Sequence, residues 1–442
     1  MRGARAGRYD TRAALASLGL WDSPVPGRVS ILPGMTTVSG QQERLLCERG
    51  PNTRMGAWEA LLAIRDEIQG KPLAVWEGAQ DLARIGIGAI RRVEASGPDR
   101  FQNARVQLDA AGGFAMGGFS FEDDSGPGGW PGFPALSFVI PERLIHGSPG
   151  GASEFRWTST TPILDRPGTL DSLPPAKTWT RGEWIEAVRS TLDQIRAGAF
   201  AKVVLARSRT IQLEERQGPL SIYAALREAY PTCHRFLIDD GSGNAFLGAS
   251  PERLIRLDML EVRTEAVAGT LRFGSGDDLG ASARKLLESA KDRAEHEVVV
   301  RHLLEGLAPV CKVRRSDPEI IHLPHLLHIR TGIHGLAKNA PVLDLVSRIH
   351  PTPAVGGSPR AEALEWIRRV EPESQGWYAG GVGWVDAQGN RELAVGIRSI
   401  AIRGNQARVF AGAGIVEGSD PEQEWNETEI KMQGMLDAIA RA

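Results

Sequence analysis

Apolar side chains recur at helical spacing directly after residue 180. Thr180 followed by Glu183 is the signature of a capping box, in which side chains satisfy free backbone N–H groups at a helix start. Apolar residues then repeat every three or four positions from Trp184 to Ile195, which predicts an amphipathic helix over residues 181–198. The next run, KVVLARSRTIQL, is rich in β-branched and apolar residues and predicts a buried strand.

The same two periodicities predict elements along the rest of the chain. Further helices are expected at residues 57–68, 220–229, 281–307, 360–370 and 425–441. Ser358-Pro359 is expected to cap the fourth of these. Further strands are expected at residues 73–76, 85–89, 104–107, 135–140, 235–238, 245–248, 380–385, 393–403 and 406–411. Periodicity alone therefore supports a mixed α and β protein.

Composition divides the chain into three segments. Residues 1–28 are rich in Arg, Ala and Gly and predict a weakly ordered leader. The Pro-containing stretch 161–177 predicts a linker between two halves, 29–177 and 178–442. With 442 residues, 42% of them apolar, the chain can build a sizeable core.

Charge and cysteine content exclude several classes of protein. The formal net charge of -2 gives no reason to expect nucleic acid or a charged membrane as a partner. Three cysteines that lie far apart argue against a disulfide framework or a zinc site, and fit a reducing compartment. No apolar window is long enough to span a membrane. We therefore expect a soluble, cytoplasmic protein.

Two ionisable side chains stand at the ends of apolar, strand-like runs. Lys202 opens KVVLAR, and a lysine there is either an edge residue whose amine reaches water or a buried amine with a lowered pKa. Glu252 follows Ser-Pro, which is also a common start of a helix. The alternative is a base and an acid that face each other across a pocket.

Two pairs of acidic residues have a spacing of three. Asp292 and Glu295 lie on one predicted helix, and Glu424 and Glu427 lie at the start of the closing helix. Such pairs usually form a solvated helix face. If the two faces converged, they would offer the hard oxygen ligands that Mg²⁺ prefers.

Five motifs follow one another between residues 202 and 431, namely KVVLAR, GASPERL, KDRAEH, HPTPAVGG and GAGIVEGSDPEQEWNETEIK. Together they resemble the chorismate-utilising enzymes, and most of all the isochorismate synthases. WEG, GIGA and GGFSF within residues 30–145 are similar to the N-terminal part of the menaquinone-type members. The resemblance implies an α+β fold like that of anthranilate synthase component I, with two large, mostly antiparallel sheets packed as a sandwich and helices outside. Residues 178–442 would then be the chorismate-binding catalytic region, and 29–177 the variable N-terminal part.

The resemblance also implies catalytic roles. Lys202 matches the general base that activates water, and Glu252 matches the general acid that protonates the departing 4-hydroxyl. A Mg²⁺ ion would be bound directly by the second acid of each pair, Glu295 and Glu427. The first acids, Asp292 and Glu424, would hold the waters of the metal. Asp292 stands where many relatives have Glu.

The positions that would contact chorismate by this resemblance are Gly269, His328, Ala354, Arg398, Gly412, Ala413, Gly414 and Lys431. Small residues at 412–414 can offer backbone N–H groups at close approach, and an arginine offers a bidentate fork for a carboxylate. Alternatives from the residues alone stay open. They are a plain turn at 412–414, a surface arginine at a strand end, a structural histidine and an i,i+4 pair between Lys431 and Glu427.

Two positions distinguish the subfamilies. Ala268 stands where aminodeoxychorismate synthases have a lysine, and HPTPAVGG replaces their FPxGxxxG. We therefore expect an isomerase with no glutamine amidotransferase subunit. The N-terminal resemblance favours menaquinone biosynthesis as its pathway, and we expect a monomer. Salicylate synthase, which goes on to eliminate pyruvate, and isochorismate supply for a catechol siderophore are the alternatives.

Two other classes of protein are disfavoured. The intact candidate acid, base and carboxylates argue against a silent binding protein of the same fold. GIGAI lacks a complete GxGxxG, which argues against a nucleotide-dependent oxidoreductase.

Overall fold

Strands from both halves of the chain combine into two antiparallel sheets. The computed structural model describes residues 46–53, 55–78, 83–124, 130, 132–148, 151–158, 177–274, 276–338 and 341–442. The predicted leader 1–28, and residues 161–176 of the predicted linker, lie outside these described residues.

The strands are β1 (Leu46–Thr53), β2 (Leu73–Glu77), β3 (Ala83–Ile87), β4 (Arg91–Ala95), β5 (Ala115–Phe119), β6 (Leu136–Ile140), β7 (Arg143–Ser148), β8 (Gly151–Thr158), β9 (Lys202–Gln212), β10 (His234–Asp239), β11 (Asn244–Ser250), β12 (Arg253–Asp258), β13 (Glu261–Arg272), β14 (Cys311–Arg315), β15 (Glu319–Leu323), β16 (Leu326–Ala337), β17 (Gly357–Ser358), β18 (Gly381–Val385), β19 (Arg391–Val395), β20 (Ser399–Arg403) and β21 (Gln406–Val416). The helices are α1 (Ala57–Ala63), α2 (Arg100–Ala111), α3 (Arg181–Arg196), α4 (Pro219–Ala229), α5 (Leu279–Glu288), α6 (Ala290–Leu307), α7 (Val342–Ile349), α8 (Arg360–Val370) and α9 (Pro421–Arg441). A 3-10 turn covers Arg65–Ile68.

The first sheet runs in the order β1-β8-β7-β3-β2-β10-β11-β20-β21-β9-β17. The second runs β14-β16-β13-β12-β19-β18-β5-β6-β4, and β15 also pairs with β16. Each sheet takes strands from before and after residue 177, so both halves of the chain build one fold. The pairing of β21 with β9 extends over eleven residues on each strand, and this ladder carries Lys202 at one end.

The two sheets pack face to face through aromatic and aliphatic side chains. Trp76 and Phe246 of the first sheet share a buried cluster with Val382 and Trp384 of the second. Helices α1, α4 and α9 pack on the first sheet in a separate cluster. The predicted α+β sandwich with outer helices is therefore confirmed. In the described part of the chain, every helix is too short or too polar to cross a lipid bilayer.

Several local predictions are confirmed, and four need correction. The capping box at Thr180 is present, with Thr180 Oγ1 accepting from the Glu183 N–H and the Glu183 carboxylate accepting from Thr180. Residues 104–107, expected as a strand, lie within α2. Their short alternation was misleading, because buried Phe101, Ala104 and Ala111 follow helical spacing over a longer window.

The expected helix 281–307 is two helices, because Ser289 has an extended backbone and caps α6. Ser358 belongs to β17 instead of capping α8, which begins after Pro359 without a side-chain cap.

The expected single strand over 393–403 is also divided. β19 lies in the second sheet and β20 in the first, so the chain passes between the sheets at residues 396–398. Arg398 has a φ of 51° at this crossing. An unbroken strand could not change sheets, and the left-handed backbone at Arg398 supplies the turn.

Candidate active site

A cavity with about 980 Å³ of empty space, which includes open solvent at its mouth, lies where β9, β13, β21, α6 and α9 approach one another. Twelve of the fourteen predicted site residues line this cavity, namely Glu252, Gly269, Asp292, Glu295, His328, Ala354, Arg398, Gly412, Gly414, Glu424, Glu427 and Lys431. The fold thus brings together residues that are up to 179 positions apart in the sequence, from Glu252 to Lys431.

Lys202 lies immediately behind the wall of the cavity. It begins β9, where it pairs with Ser358 of β17 on one side and Val416 of β21 on the other. Its side chain is buried, with 2% of the residue exposed, and its Nζ donates to Glu295 Oε1 at 2.8 Å. The interpretation of Lys202 as an edge residue reaching water is therefore wrong. Ala413, in contrast, does not line the cavity and is fully buried in the core.

Glu252 occupies the short connection between β11 and β12. The helix start suggested by Ser-Pro-Glu is therefore wrong. The backbone carbonyl of Glu252 accepts from Val395 N at 3.0 Å, and its N–H donates to Ser250 Oγ at 3.2 Å. These bonds hold the residue at the cavity.

The carboxyl of Glu252 is buried, and its Oε1 has no hydrogen-bond partner among the described residues. Burial raises the pKa of Glu252 to about 8, and the charge of Glu265 adds to this effect while Lys202 opposes it. The side chain is thus a protonated acid at neutral pH.

The two acidic pairs converge on the cavity, instead of forming solvated helix faces. In α6, the Asp292 carboxylate accepts from the Ser289 hydroxyl, which fixes it beside the helix start. In α9, burial raises the pKa of Glu424 to about 7, and the neighbouring Glu427 charge contributes. Burial acts to raise the pKa of Glu295 as well, but the Lys202 ammonium outweighs it, so that this pKa is lowered.

Each proposed metal-binding carboxylate already forms an ion pair with a lysine. Lys202 donates to Glu295, and Lys431 Nζ lies 2.5 Å from Glu427 Oε1. Among the described residues, no group of three or more His, Cys, Asp or Glu side chains is arranged to hold a metal ion. Mg²⁺ usually takes one or two protein carboxylates and completes its shell with water and substrate oxygens. The carboxylates of α6 and α9 offer this kind of donor set.

Arg398 and His328 form a polar part of the cavity wall. Arg398 Nη2 lies 3.4 Å from His328 Nε2, and His328 Nδ1 lies 3.1 Å from Thr270 Oγ1. Burial and the Arg398 charge hold the pKa of His328 well below its usual value, so the ring is neutral. Within the described residues, Arg398 has no carboxylate at ion-pair distance, so its guanidinium is available for an anionic ligand. Its left-handed backbone is the kind of strain found at functional sites.

The end of β21 presents open backbone to the cavity. β20 pairs with β21 only as far as Val409, which leaves Gly412 and Gly414 beyond the ladder on that side. The Gly412 carbonyl accepts from Lys431 Nζ at 2.8 Å. A Cβ on Gly414 would lie 3.0 Å from Glu295 Oε1 and 3.1 Å from Lys202 Cε, so an alanine there would press on this ion pair.

The lining residues that were not predicted as site residues include Thr270, Lys291, Tyr378 and Phe410. The rings of Tyr378 and Phe410 stack at a centroid distance of 5.2 Å and form an apolar wall. Neither belongs to a motif that implies chemistry. Lys291 is the first residue of the KDRAEH motif, so its place in that motif could have indicated a site residue.

A profile of the family described as "Chorismate binding enzyme" matches residues 156–440. The chain belongs to this family. The family expected from the motifs is thereby confirmed.

Among the chorismate-binding enzymes, the chain is similar to isochorismate synthases. It is 33% identical over 369 residues to isochorismate synthase MenF of Bacillus subtilis, and the match covers 77% of each protein. It is 37% identical over 285 residues to the salicylate biosynthesis isochorismate synthase of Pseudomonas aeruginosa, covering 63% of this chain and 60% of that protein. The structure of MenF, the menaquinone-specific isochorismate synthase from Escherichia coli, aligns with a TM-score of 0.74 at 26% identity. This alignment covers 97% of this chain and 98% of the other, and it confirms the fold expected for the family.

Proposed function

We propose that this protein is an isochorismate synthase, which converts chorismate to isochorismate by adding water at C2 and releasing the 4-hydroxyl. The observation that carries the proposal is the placement of buried Lys202 and buried, protonated Glu252 at one cavity lined by carboxylates and Arg398. The names of the similar proteins support the same reaction.

Glu252 and Lys202 divide the proton transfers between them. Glu252 keeps its proton at neutral pH, so it can donate to the departing 4-hydroxyl. Lys202 is paired with Glu295 as an ammonium, so it would have to release a proton before it could accept one from the attacking water. The two groups must exchange roles in the reverse direction, and the reaction should be close to thermoneutral because the bond types are unchanged.

The second carboxylate of chorismate requires donors. The Arg398 guanidinium can donate two parallel hydrogen bonds to it. Gly412 and Gly414 lie at the open edge of β21, and Lys431 stands beside Gly412. These groups would bind the enolpyruvyl carboxylate and orient the ring between Lys202 and Glu252.

We further propose that the reaction depends on Mg²⁺. Glu295 and Glu427 would bind the ion, and Asp292 and Glu424 would hold its waters. When bound, the ion would supply positive charge for the ring carboxylate of chorismate. The fit rests on the convergence of two carboxylate-bearing helices on one cavity.

We assign the pathway to menaquinone biosynthesis. The match to the Bacillus subtilis MenF extends over 369 residues, which is longer than the family-wide match, so it includes part of the variable N-terminal half. The similarity to an isochorismate synthase of salicylate biosynthesis supports siderophore supply as the second candidate. Restoration of menaquinone in a strain that lacks isochorismate synthase would test the assignment.

The direct test is incubation with chorismate and Mg²⁺, followed by chromatography of the products. We expect isochorismate, a residual fraction of chorismate and no pyruvate. Salicylate together with equimolar pyruvate would favour the lyase alternative. Unchanged chorismate in the presence of Mg²⁺ would refute the proposed function.

A further inference from the structure

Lys291 differs from the other lysines at the cavity because it is exposed and unpaired. It lies in the first turn of α6 and lines the cavity. Lys202 and Lys431 are each held by a carboxylate. Lys291 has no ion-pair partner among the described residues, and its ammonium is therefore free at the opening.

The charge of Lys291 reaches both carboxylate-bearing helices. Burial acts to raise the pKa of Glu295 and of Glu424, and the Lys291 ammonium is among the charges that oppose this shift in each case. Its ammonium is thus close to the carboxylates of α6 and of α9, on the side of the cavity that meets solvent. Arg398 lies on another wall, at the crossing between the sheets.

An anion that approaches this cavity meets carboxylates as well as cations. Asp292, Glu295, Glu424 and Glu427 all line it, and the lysines that pair with two of them are already engaged. A free cation at the opening offsets this repulsion where the ligand enters. Charges at the rim of a site act mainly on the rate of association, and their effect weakens as salt is added.

We propose that Lys291 is a steering residue, which draws the dianionic substrate into the cavity and makes its first carboxylate contact. The inference rests on the proposed function, because chorismate carries two carboxylates. Lys291 takes no part in the proton transfers, which belong to Lys202 and Glu252. Its contribution therefore lies in association and not in the chemical step.

The test is the association rate of chorismate, measured by stopped-flow tryptophan fluorescence with saturating Mg²⁺. A Glu252→Gln background prevents turnover during the measurement. Lys291→Ala should slow association about threefold to tenfold at low ionic strength and leave dissociation nearly unchanged. The dependence of association on NaCl should become shallower, and Lys291→Arg should restore the rate because it keeps the charge.

Arg293→Ala is the matched control, since Arg293 is an exposed cation two residues further along α6 that does not line the cavity. Equal effects of Arg293→Ala and Lys291→Ala would overturn the role, as would an unchanged association rate or a lower kcat when Lys291→Ala is made in the active enzyme. If the wild-type protein left chorismate unchanged, the proposed function would fail and this role with it. Normal conversion together with unaltered association in Lys291→Ala would overturn the role alone.

Discussion

Replacement of Glu252 by Gln should change how the stability of the protein depends on pH. Burial raises the pKa of Glu252 from 4.5 to about 8, with the Glu265 charge adding to it. An unfolded chain exposes this carboxyl to water, so between about pH 4.5 and pH 8 only the folded protein keeps the proton. The wild-type free energy of unfolding therefore falls as pH rises through this window, by at most about 1.4 kcal/mol per pH unit. Gln does not titrate, so the free energy of unfolding of the variant does not fall in this way as pH rises.

The expected magnitude follows from the width of the window. Between pH 5 and pH 8, the free energy of unfolding of Glu252→Gln should gain up to about 4 kcal/mol relative to wild type. Urea titrations of both proteins at several pH values measure this difference. Glu365→Gln is a suitable control, because the Glu365 side chain is 69% exposed and its pair with Arg369 lies at the surface. Its effect should stay within about 1 kcal/mol at every pH.

Parallel stability curves for wild type and Glu252→Gln would refute this reasoning, because they would mean that Glu252 is ionised in the folded protein. The same variant also tests catalysis. Forward and reverse rates should both fall by about 10²–10⁴-fold, while the affinities for chorismate and Mg²⁺ are retained. Weaker binding with an intact chemical step would make Glu252 a substrate contact instead.

Three further predictions concern the metal, the base and the space between them. EDTA should abolish turnover and Mg²⁺ restore it, and Glu295→Gln or Glu427→Gln should be folded but nearly inactive; full activity under thorough chelation would contradict the metal site. Lys202→Ala should lose at least about 10²-fold in rate while still binding chorismate in calorimetry; a variant that keeps more than about a tenth of the rate would make Lys202 structural. Gly414→Ala should lower kcat, by up to about 10²-fold, because its Cβ would push the Lys202–Glu295 pair by a few tenths of an ångström. Gly182→Ala, with open space around the new Cβ, should leave kcat unchanged; equal losses in both glycine variants would refute the steric argument.

The sequence predicted the elements whose patterns were long and regular. The helix after Thr180 and the strand that begins at Lys202 both have apolar periods sustained over more than ten residues. Residues 104–107 show where a short window fails, since four residues of alternation also fit one face of α2. The break at Ser289 was missed because one serine with an extended backbone divides a helical pattern without changing its polarity.

Site chemistry was harder to predict because it depends on burial. Ser-Pro-Glu is equally suited to a helix start, and only the packing around Glu252 shows a carboxyl that keeps its proton. The spacing of Asp292 and Glu295 fits a solvated face as well as a metal site, and the convergence of α6 with α9 is a tertiary property. The resemblance of the motifs to a known family indicated the site residues, which periodicity alone could not indicate. Tyr378 and Phe410 belonged to no motif, so they emerged only from the cavity.

Two backbone hydrogen bonds, one to each sheet, fix the position of Arg398 at the crossing at residues 396–398. On one side Gly396 N donates to the Gly380 carbonyl, and on the other Ala249 N donates to the Arg398 carbonyl. An insertion or deletion of one residue here would turn every side chain of either β19 or β20 to the opposite face of its sheet. A change of length at this point would therefore move the Arg398 backbone relative to the cavity, whereas a substitution at 398 would keep its backbone path.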